Sequence, residues 1–207
     1  MTRPCVHIVD DDRDIRDGLA WLFDSRGFQN ATWDGGPSFL DGAVALNGDW
    51  GTAVVLLDMR MTPLSGALTF ERLKALGCPW PVLFLTGHGD VGTAVAAVKQ
   101  GAWDFLEKPF QDNELVDRVQ QALAAASAAL QDDSETRRLR QALLSLSPRE
   151  REVLDELVRG HYNKNIADHL GITPRTVEFH RANIFEKMGA SSAIELAHKL
   201  GRLQSVI

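Results

Sequence analysis

Five short apolar runs, separated by stretches of helical periodicity, constrain the fold of this chain through residue 110 more than any other feature. They are Val6-His7-Ile8-Val9, Asn30-Ala31-Thr32-Trp33, Ala53-Val54-Val55-Leu56-Leu57, Val82-Leu83-Phe84-Leu85 and Trp103-Asp104-Phe105-Leu106. Near-continuous apolar strands alternating with helices indicate a parallel sheet covered on both faces. The expected fold class is therefore α/β, a doubly wound five-stranded parallel sheet. In such folds the functional residues gather at the carboxyl ends of the strands.

From Asp112 the pattern is helical only. An alanine-rich stretch, Ala122 to Leu130, leads into Asp132-Asp133-Ser134-Glu135 and then Arg137-Arg138, and no Pro or Gly occurs between residues 111 and 147. Opposite charges three or four apart suit an exposed helix, so a long helical connector is expected, with Asp132–Ser134 as the candidate break. A solvated spacer and a coiled-coil seam are both open readings of it. Beyond it, a small all-α domain is punctuated clearly. Ser147-Pro148-Arg149-Glu150 supplies an N-cap, a proline at the first helical position and a capping-box glutamate. Gly160 ends that helix, Asn163 caps a short one that stops at Gly171, Thr173-Pro174 starts a third that ends at Gly189, and Ser192 with Glu195 forms a capping box for the last. The expected domains are 1–120, a connector over 121–145, and 146–207.

The net charge of −6 divides unevenly: residues 1–130 carry 10 Lys/Arg against 17 Asp/Glu, and residues 147–207 carry 9 against 8. The C-terminal part lacks the strong basic patch that usually marks a nucleic-acid binder, so charge alone does not identify one. Two cysteines, Cys5 and Cys78, form neither a metal cluster nor a disulfide framework. MTRPCVHIVDDD turns acidic too early for a signal peptide, and no apolar run approaches the roughly 18 residues of a membrane span. A cytoplasmic protein without membrane contact is the expectation.

Asp10-Asp11-Asp12 follows the first strand, Asp58 ends the third, Thr86 ends the fourth and Lys108 follows the fifth. A parallel sheet brings these ends to one edge. Clustered carboxylates favour a hard cation, and oxygen ligands suit Mg²⁺. A cation beside an aspartate at a strand end is a setting for phosphoryl transfer to a carboxylate. Together, Val9-Asp10-Asp11, Leu57-Asp58-Met59-Arg60-Met61, Thr86-Gly87-His88-Gly89-Asp90 and Phe105-Leu106-Glu107-Lys108-Pro109-Phe110 resemble the flavodoxin-like receiver domains of two-component response regulators, in the FixJ branch of the NarL/FixJ family. The resemblance implies that Asp58 takes the phosphoryl group, that Asp11 ligates Mg²⁺ directly and Asp10 through water, and that the Arg60 carbonyl is a further ligand beside Asp58. It implies phosphoryl contacts from Thr86 and Lys108, a cis Lys108-Pro109 bond, and a switch role for Phe105, for which plain strand packing is the alternative. Asp12 is read as a helix cap and His88 as a loop residue near the site. One departure stands out. The family places a proline four residues after the phosphorylated aspartate, where this chain has Thr62, with Pro63 next; Gly66 keeps its spacing.

In the C-terminal part, Leu146 to Leu154, Asn163-Lys164-Asn165-Ile166-Ala167 and Thr173-Pro174-Arg175-Thr176-Val177-Glu178-Phe179-His180 resemble the LuxR-type helix-turn-helix. A short helix at 163–170, a turn at 171–173 and a longer helix at 174–188 fit that geometry. Val177, Ile184 and Met188 share one stripe and should pack inward. The opposite face carries Arg175, Glu178, Phe179 and Asn183, types that can read base edges in a major groove. Thr176 belongs with them through the resemblance. Lys164, Arg181 and Lys187 are the expected phosphate contacts. An intrahelical pair is the alternative for Glu178, and packing on the last helix for Phe179.

The sequence thus reads as a response regulator, not an enzyme proper. It accepts phosphate at Asp58 from a partner sensor histidine kinase, forms a homodimer and regulates transcription on double-stranded DNA with RNA polymerase as a further partner. Val91, Ala94, Val95 and Val98 supply the expected receiver dimer stripe, with packing on the sheet as the alternative for about half of them, and Leu196, Leu200 and Leu203 a second candidate interface. Two rivals are a receiver-gated enzyme, which the lack of a nucleophile elbow or metal cluster disfavours, and a vestigial receiver, which the intact acidic and basic positions disfavour.

Overall fold

The computed structural model describes residues 4–87 and 90–204; His88, Gly89 and the side chains of Val91, Asp133, Arg202 and Gln204 lie outside the described residues. The chain forms two compact units, residues 1–130 and 131–207. The first alternates strand and helix: β1 (Cys5–Val9), α1 (Arg13–Ser25), β2 (Gln29–Trp33), α2 (Gly36–Ala45), β3 (Ala53–Asp58), α3 (Gly66–Ala75), β4 (Val82–Thr86), α4 (Val91–Lys99) and β5 (Asp104–Glu107). The strands are all parallel, in the order β2-β1-β3-β4-β5.

The period-2 alternation of strand side chains divides the apolar residues between two cores. Val55, Leu57, Val82 and Phe84 point to one face, with Phe39, Phe70 and Leu73 from α2 and α3. Val6, Ile8, Val54, Leu56, Leu83 and Leu85 point to the other, with Leu19, Phe23, Leu115 and Val119. All six residues of β3 are buried, as befits the central strand of a two-sided sheet. The chain leaves β1 for one edge at β2 and then crosses to β3. This switch point opens a crevice at the carboxyl ends of β1 and β3.

Helix α5 (Asp112–Leu144) is continuous, so the break near Asp132–Ser134 is absent. With no Gly or Pro in the segment, nothing in the backbone chemistry stops the helix. The second unit contains α6 (Pro148–Val158), α7 (Asn163–Leu170), α8 (Pro174–Met188) and α9 (Ala193–Gln204). Val177, Ile184 and Met188 are buried as the periodicity predicts, and each such burial stabilises by about 1.5–3 kcal/mol.

Several residues singled out in the sequence are engaged within their own units. Leu196, Leu200 and Leu203 pack into this domain's own core, because α9 needs an apolar face to dock at all. On α4, Ala94 is fully buried and Val98 packs on the sheet core while Val95 is exposed, so internal packing takes two residues of the expected stripe and leaves Val95 available. Asn163 is the first residue of α7, behind Tyr162 at the N-cap, and its side chain accepts from Arg181. At α9, the Glu195 carboxylate takes the Ser191 N–H while Ser192 accepts from Glu195 N–H, a box spread over one extra residue.

The capping box at α6 is complete. Ser147 Oγ accepts from Glu150 N–H (3.2 Å), and the buried Glu150 carboxylate accepts from Ser147 N–H (2.8 Å) and from Lys187 Nζ of α8 (2.7 Å). The Lys187 hydrogen bond first, then that of Ser147, lowers the Glu150 carboxyl to about 2. A depressed carboxyl pKa stabilises the fold above its ordinary value of 4.5 and ceases to as pH falls from there through about 2. Glu150→Gln is expected to lower the unfolding free energy at neutral pH by about 1–2 kcal/mol. Denaturant melts at decreasing pH should show the wild-type advantage shrinking across that acidic window. A gap that persists unchanged to acid would assign the effect to something other than the carboxylate charge.

Candidate functional site: the acidic crevice and the exposed helix face

The crevice is built by strand termini. Asp10 ends just beyond β1 and Asp58 closes β3, and both are buried. Lys108, just past β5, donates from Nζ to Asp10 Oδ2 (2.9 Å) and Asp58 Oδ1 (2.7 Å). The remaining oxygens are held by backbone: Asp12 N–H donates to Asp10 Oδ1 (2.9 Å) and Arg60 N–H to Asp58 Oδ2 (2.7 Å). Asp12 in turn caps α1 with its side chain, as expected. Burial pushes the Asp10 carboxyl above its ordinary value, against the hydrogen bonds from Lys108 and the Asp12 N–H. Burial also works against the Lys108 charge, but the hydrogen bonds to Asp58 and Asp10 outweigh it and hold the ammonium above its ordinary value.

Asp11 is exposed, and its carboxylate joins those of Asp10 and Asp58, with ligand oxygens all within 4.8 Å of one another. Three carboxylates converging on one spot are the donor set of a hard cation. Thr86 is fully buried at the end of β4, and its Oγ1 has no hydrogen-bond partner. An unsatisfied buried hydroxyl is costly, and one at the rim of this crevice is ready to bond a group entering it. Phe105 is half-buried against the core that α2, α3 and α4 cover. Both Lys108-Pro109 and Thr62-Pro63 are cis.

Gly66, the first residue of α3, sits where any Cβ would come within 2.1 Å of the Asp58 carbonyl oxygen. This close approach lets the loop after β3 fold tightly under the phosphoacceptor candidate.

Two contacts escaped the sequence reading. Thr62 donates its N–H to Asp11 Oδ2 (3.1 Å), with its hydroxyl 3.4 Å away, so the residue that departs from the family pattern touches the acidic cluster itself. The Arg60 side chain, singled out only for its carbonyl, pairs with Asp90 at the start of α4, with Nη2 to Oδ1 at 3.1 Å. The departure at Thr62 was visible in the sequence; the Arg60–Asp90 pair had no signal, since it joins loops 30 residues apart.

In the second unit, α7 and α8 are joined through Gly171, which adopts a left-handed φ of 63°. Thr173 caps α8 by accepting from Thr176 N–H (3.2 Å), and its hydroxyl pairs with that of Thr176. The α8 face carrying Arg175, Glu178 and Phe179 is exposed, with Asn183 half-exposed beside them and Lys164 exposed on α7. Phe179 is 64% exposed, so it does not pack on α9. Tyr162, 81% exposed at the α7 N-cap, is a further aromatic on this domain that the sequence reading passed over. The other two expected phosphate contacts are engaged within the domain: Lys187 with Glu150, and Arg181 with Asn163 and over the Phe185 ring at 5.5 Å.

No helix among the described residues is long and apolar enough to cross a membrane. Residues 6–120 match the response regulator receiver domain family and residues 144–200 match the bacterial regulatory proteins of the luxR family. Among curated relatives, the transcriptional regulatory protein FixJ of Bradyrhizobium diazoefficiens is 42% identical over 94% of this chain and 93% of its own length. The C4-dicarboxylate transport transcriptional regulatory protein DctR of Rhodobacter capsulatus is 43% identical over 93% of this chain and 96% of its own. Among solved structures, the response regulator StyR superposes with a TM-score of 0.86 at 37% identity, covering 97% of this chain and all of that one. Full-length FixJ from B. japonicum gives a TM-score of 0.60 at 41% identity, with 99% of both chains covered. With the acidic crevice in the first unit and the helix-turn-helix in the second, the chain belongs to the response regulator receiver family and is a two-component transcription regulator whose receiver precedes a LuxR-type DNA-binding domain.

Proposed function

We propose that Asp58 is the phosphoacceptor, supplied by a sensor histidine kinase. The observation that carries this reading is the Lys108 ammonium bridging Asp58 and Asp10 beside the unpartnered Thr86 hydroxyl. A carboxylate oxygen of Asp58 attacks the phosphorus of the kinase's phosphohistidine. The new P–O bond forms as the P–N bond breaks, and the imidazole leaves. Lys108 then pairs with a phosphoryl oxygen, and Thr86 donates its hydroxyl to another. Asp10, Asp11, Asp58 and the Arg60 carbonyl would hold Mg²⁺, which supplies charge neutralisation for the incoming phosphoryl group. Thr62 positions Asp11 for that role.

Thr86 drawn toward the phosphoryl group leaves room for Phe105 to turn further inward, and the α4–β5 surface changes. Homodimerisation there uses the exposed Val95 of α4, and paired output domains bind two half-sites with a raised effective concentration. On DNA, Arg175, Thr176, Glu178, Phe179 and Asn183 face the major groove and Lys164 a phosphate. Arg181 and Lys187 serve chiefly to hold the helices of the domain together. RNA polymerase is the further partner, and the cytoplasm, where the DNA is, the site of action.

Asp58→Asn should abolish labelling by a small-molecule phosphodonor in Mg²⁺, because an amide is a far poorer nucleophile than a carboxylate. Undiminished labelling, located by mass spectrometry, would move the acceptor elsewhere. For the DNA face, Arg175→Ala and Phe179→Ala should each weaken binding of the phosphorylated protein to its operator by about 1–3 kcal/mol, roughly 5- to 150-fold. Lys187→Ala should lower thermal stability and leave the salt dependence of binding unchanged. A reduced salt slope in that variant would return Lys187 to the phosphate contacts.

A further inference from the structure

The DNA-binding domain contains a second convergence of metal-ligating side chains, chemically unlike the acidic crevice. We propose that Glu156, His161 and His169 form a binding site for a divalent transition-metal ion of the zinc class. Glu156 lies on α6, His161 in the turn after it, and His169 on α7. Glu156 Oε2 lies 2.7 Å from Nδ1 of His161 and 2.7 Å from Nδ1 of His169. The three donor atoms are all within 4.8 Å of one another. Zinc bonds to imidazole nitrogen and carboxylate oxygen are about 2.0–2.2 Å long, so an ion fits among these atoms after small side-chain adjustments.

The arrangement has the parts of a metal site beyond its three ligands. Arg159 Nη1 donates to the other carboxylate oxygen, Oε1, at 2.9 Å, the orienting contact that ligating carboxylates characteristically receive. The two imidazoles meet edge to face, with centroids 5.1 Å apart and planes at 83°, so they offer their nitrogens from different directions. The Glu156 side chain is 10% exposed, whereas those of His161 and His169 are 34% and 52% exposed. The carboxylate forms a floor and the imidazoles an open rim, through which an ion enters and a water completes the coordination. Two nitrogens and one carboxylate suit zinc and its neighbours in the first transition row, not Mg²⁺.

Without metal, both imidazoles use Nδ1–H to share one carboxylate oxygen. With metal, each presents an Nδ1 lone pair and carries its proton on Nε2. The ion would then tie α6 to α7, the first helix of the helix-turn-helix, by coordinate bonds rather than hydrogen bonds. The metal therefore stabilises the domain that reads DNA, by a route independent of phosphorylation at the receiver.

The test uses the full-length protein in saturating Mg²⁺, so that the acidic crevice does not compete. Titration with Co²⁺ should give visible absorption bands that saturate at one equivalent and that Zn²⁺ displaces. His161→Gln and His169→Gln should each weaken Co²⁺ binding at least about tenfold, with circular dichroism confirming that the variants are folded, while the double variant Cys5→Ser/Cys78→Ser should bind as wild type does. Zn²⁺ should also raise the melting temperature of the wild type and not of the histidine variants. Absence of any Zn²⁺-displaceable Co²⁺ signal, or equal binding by wild type and both histidine variants, overturns the site. Either result leaves the phosphoacceptor assignment untouched.

Discussion

The receiver depends on one ammonium group. A parallel sheet that ends three strands in acidic or polar residues has an electrostatic problem at that edge, since Asp10 and Asp58 are both buried there and Asp11 stands beside them. Lys108 resolves it by bonding both buried carboxylates at once. It follows β5, two strands from β3 and three from β1, a span of about 10–15 Å at normal strand spacing. Only a long side chain on a loop that folds back over β4 covers that distance. The Lys108 N–H to Thr86 carbonyl bond (2.7 Å) holds the loop in that position. Breaking one side of a buried ion pair costs about 3–5 kcal/mol, so the group that tunes the site also keeps this edge of the sheet together.

Much of the fold was legible in the sequence because the sheet is two-sided. In β3 every residue is buried, and continuous apolarity admits few other readings. The edge strand β2 was harder: Gln29, Asn30 and Thr32 resemble a loop, and only its flanking helices and Trp33 point to a strand. The fifth strand came out one residue later than its apolar run, because Trp103 is partly exposed and Glu107 completes the pairing with Thr86. Helix α5 runs unbroken because charge clusters, unlike Pro or Gly, do not interrupt backbone hydrogen bonding.

The site was legible to the extent that it rests on strand ends. Asp10, Asp58, Thr86 and Lys108 lie where topology alone carries them. What eluded the sequence depends on side-chain direction. The leucines of α9, and Ala94 and Val98 of α4, serve internal cores, and a helical stripe does not say which neighbour each residue faces. Lys187, expected at a DNA phosphate, bonds the capping-box carboxylate of another helix. Glu156, His161 and His169 are 5 and 8 residues apart in sequence, and only the turn after α6 brings their donor atoms onto one point.

Gly66 shows that glycines in one chain answer to different constraints. Gly171 has a left-handed φ of 63° and nothing within 4 Å of a would-be Cβ; its requirement is conformational, and asparagine, which tolerates that region, can substitute there at modest cost. Gly66 needs no unusual dihedral. Its requirement is volume, because the space a methyl group would occupy is already filled by the Asp58 carbonyl. Substitution tolerance at this position is therefore graded by bulk alone, with alanine already beyond the limit. A library of variants scored for receiver folding would find the position intolerant of every side chain, asparagine included, though it catalyses nothing and binds nothing.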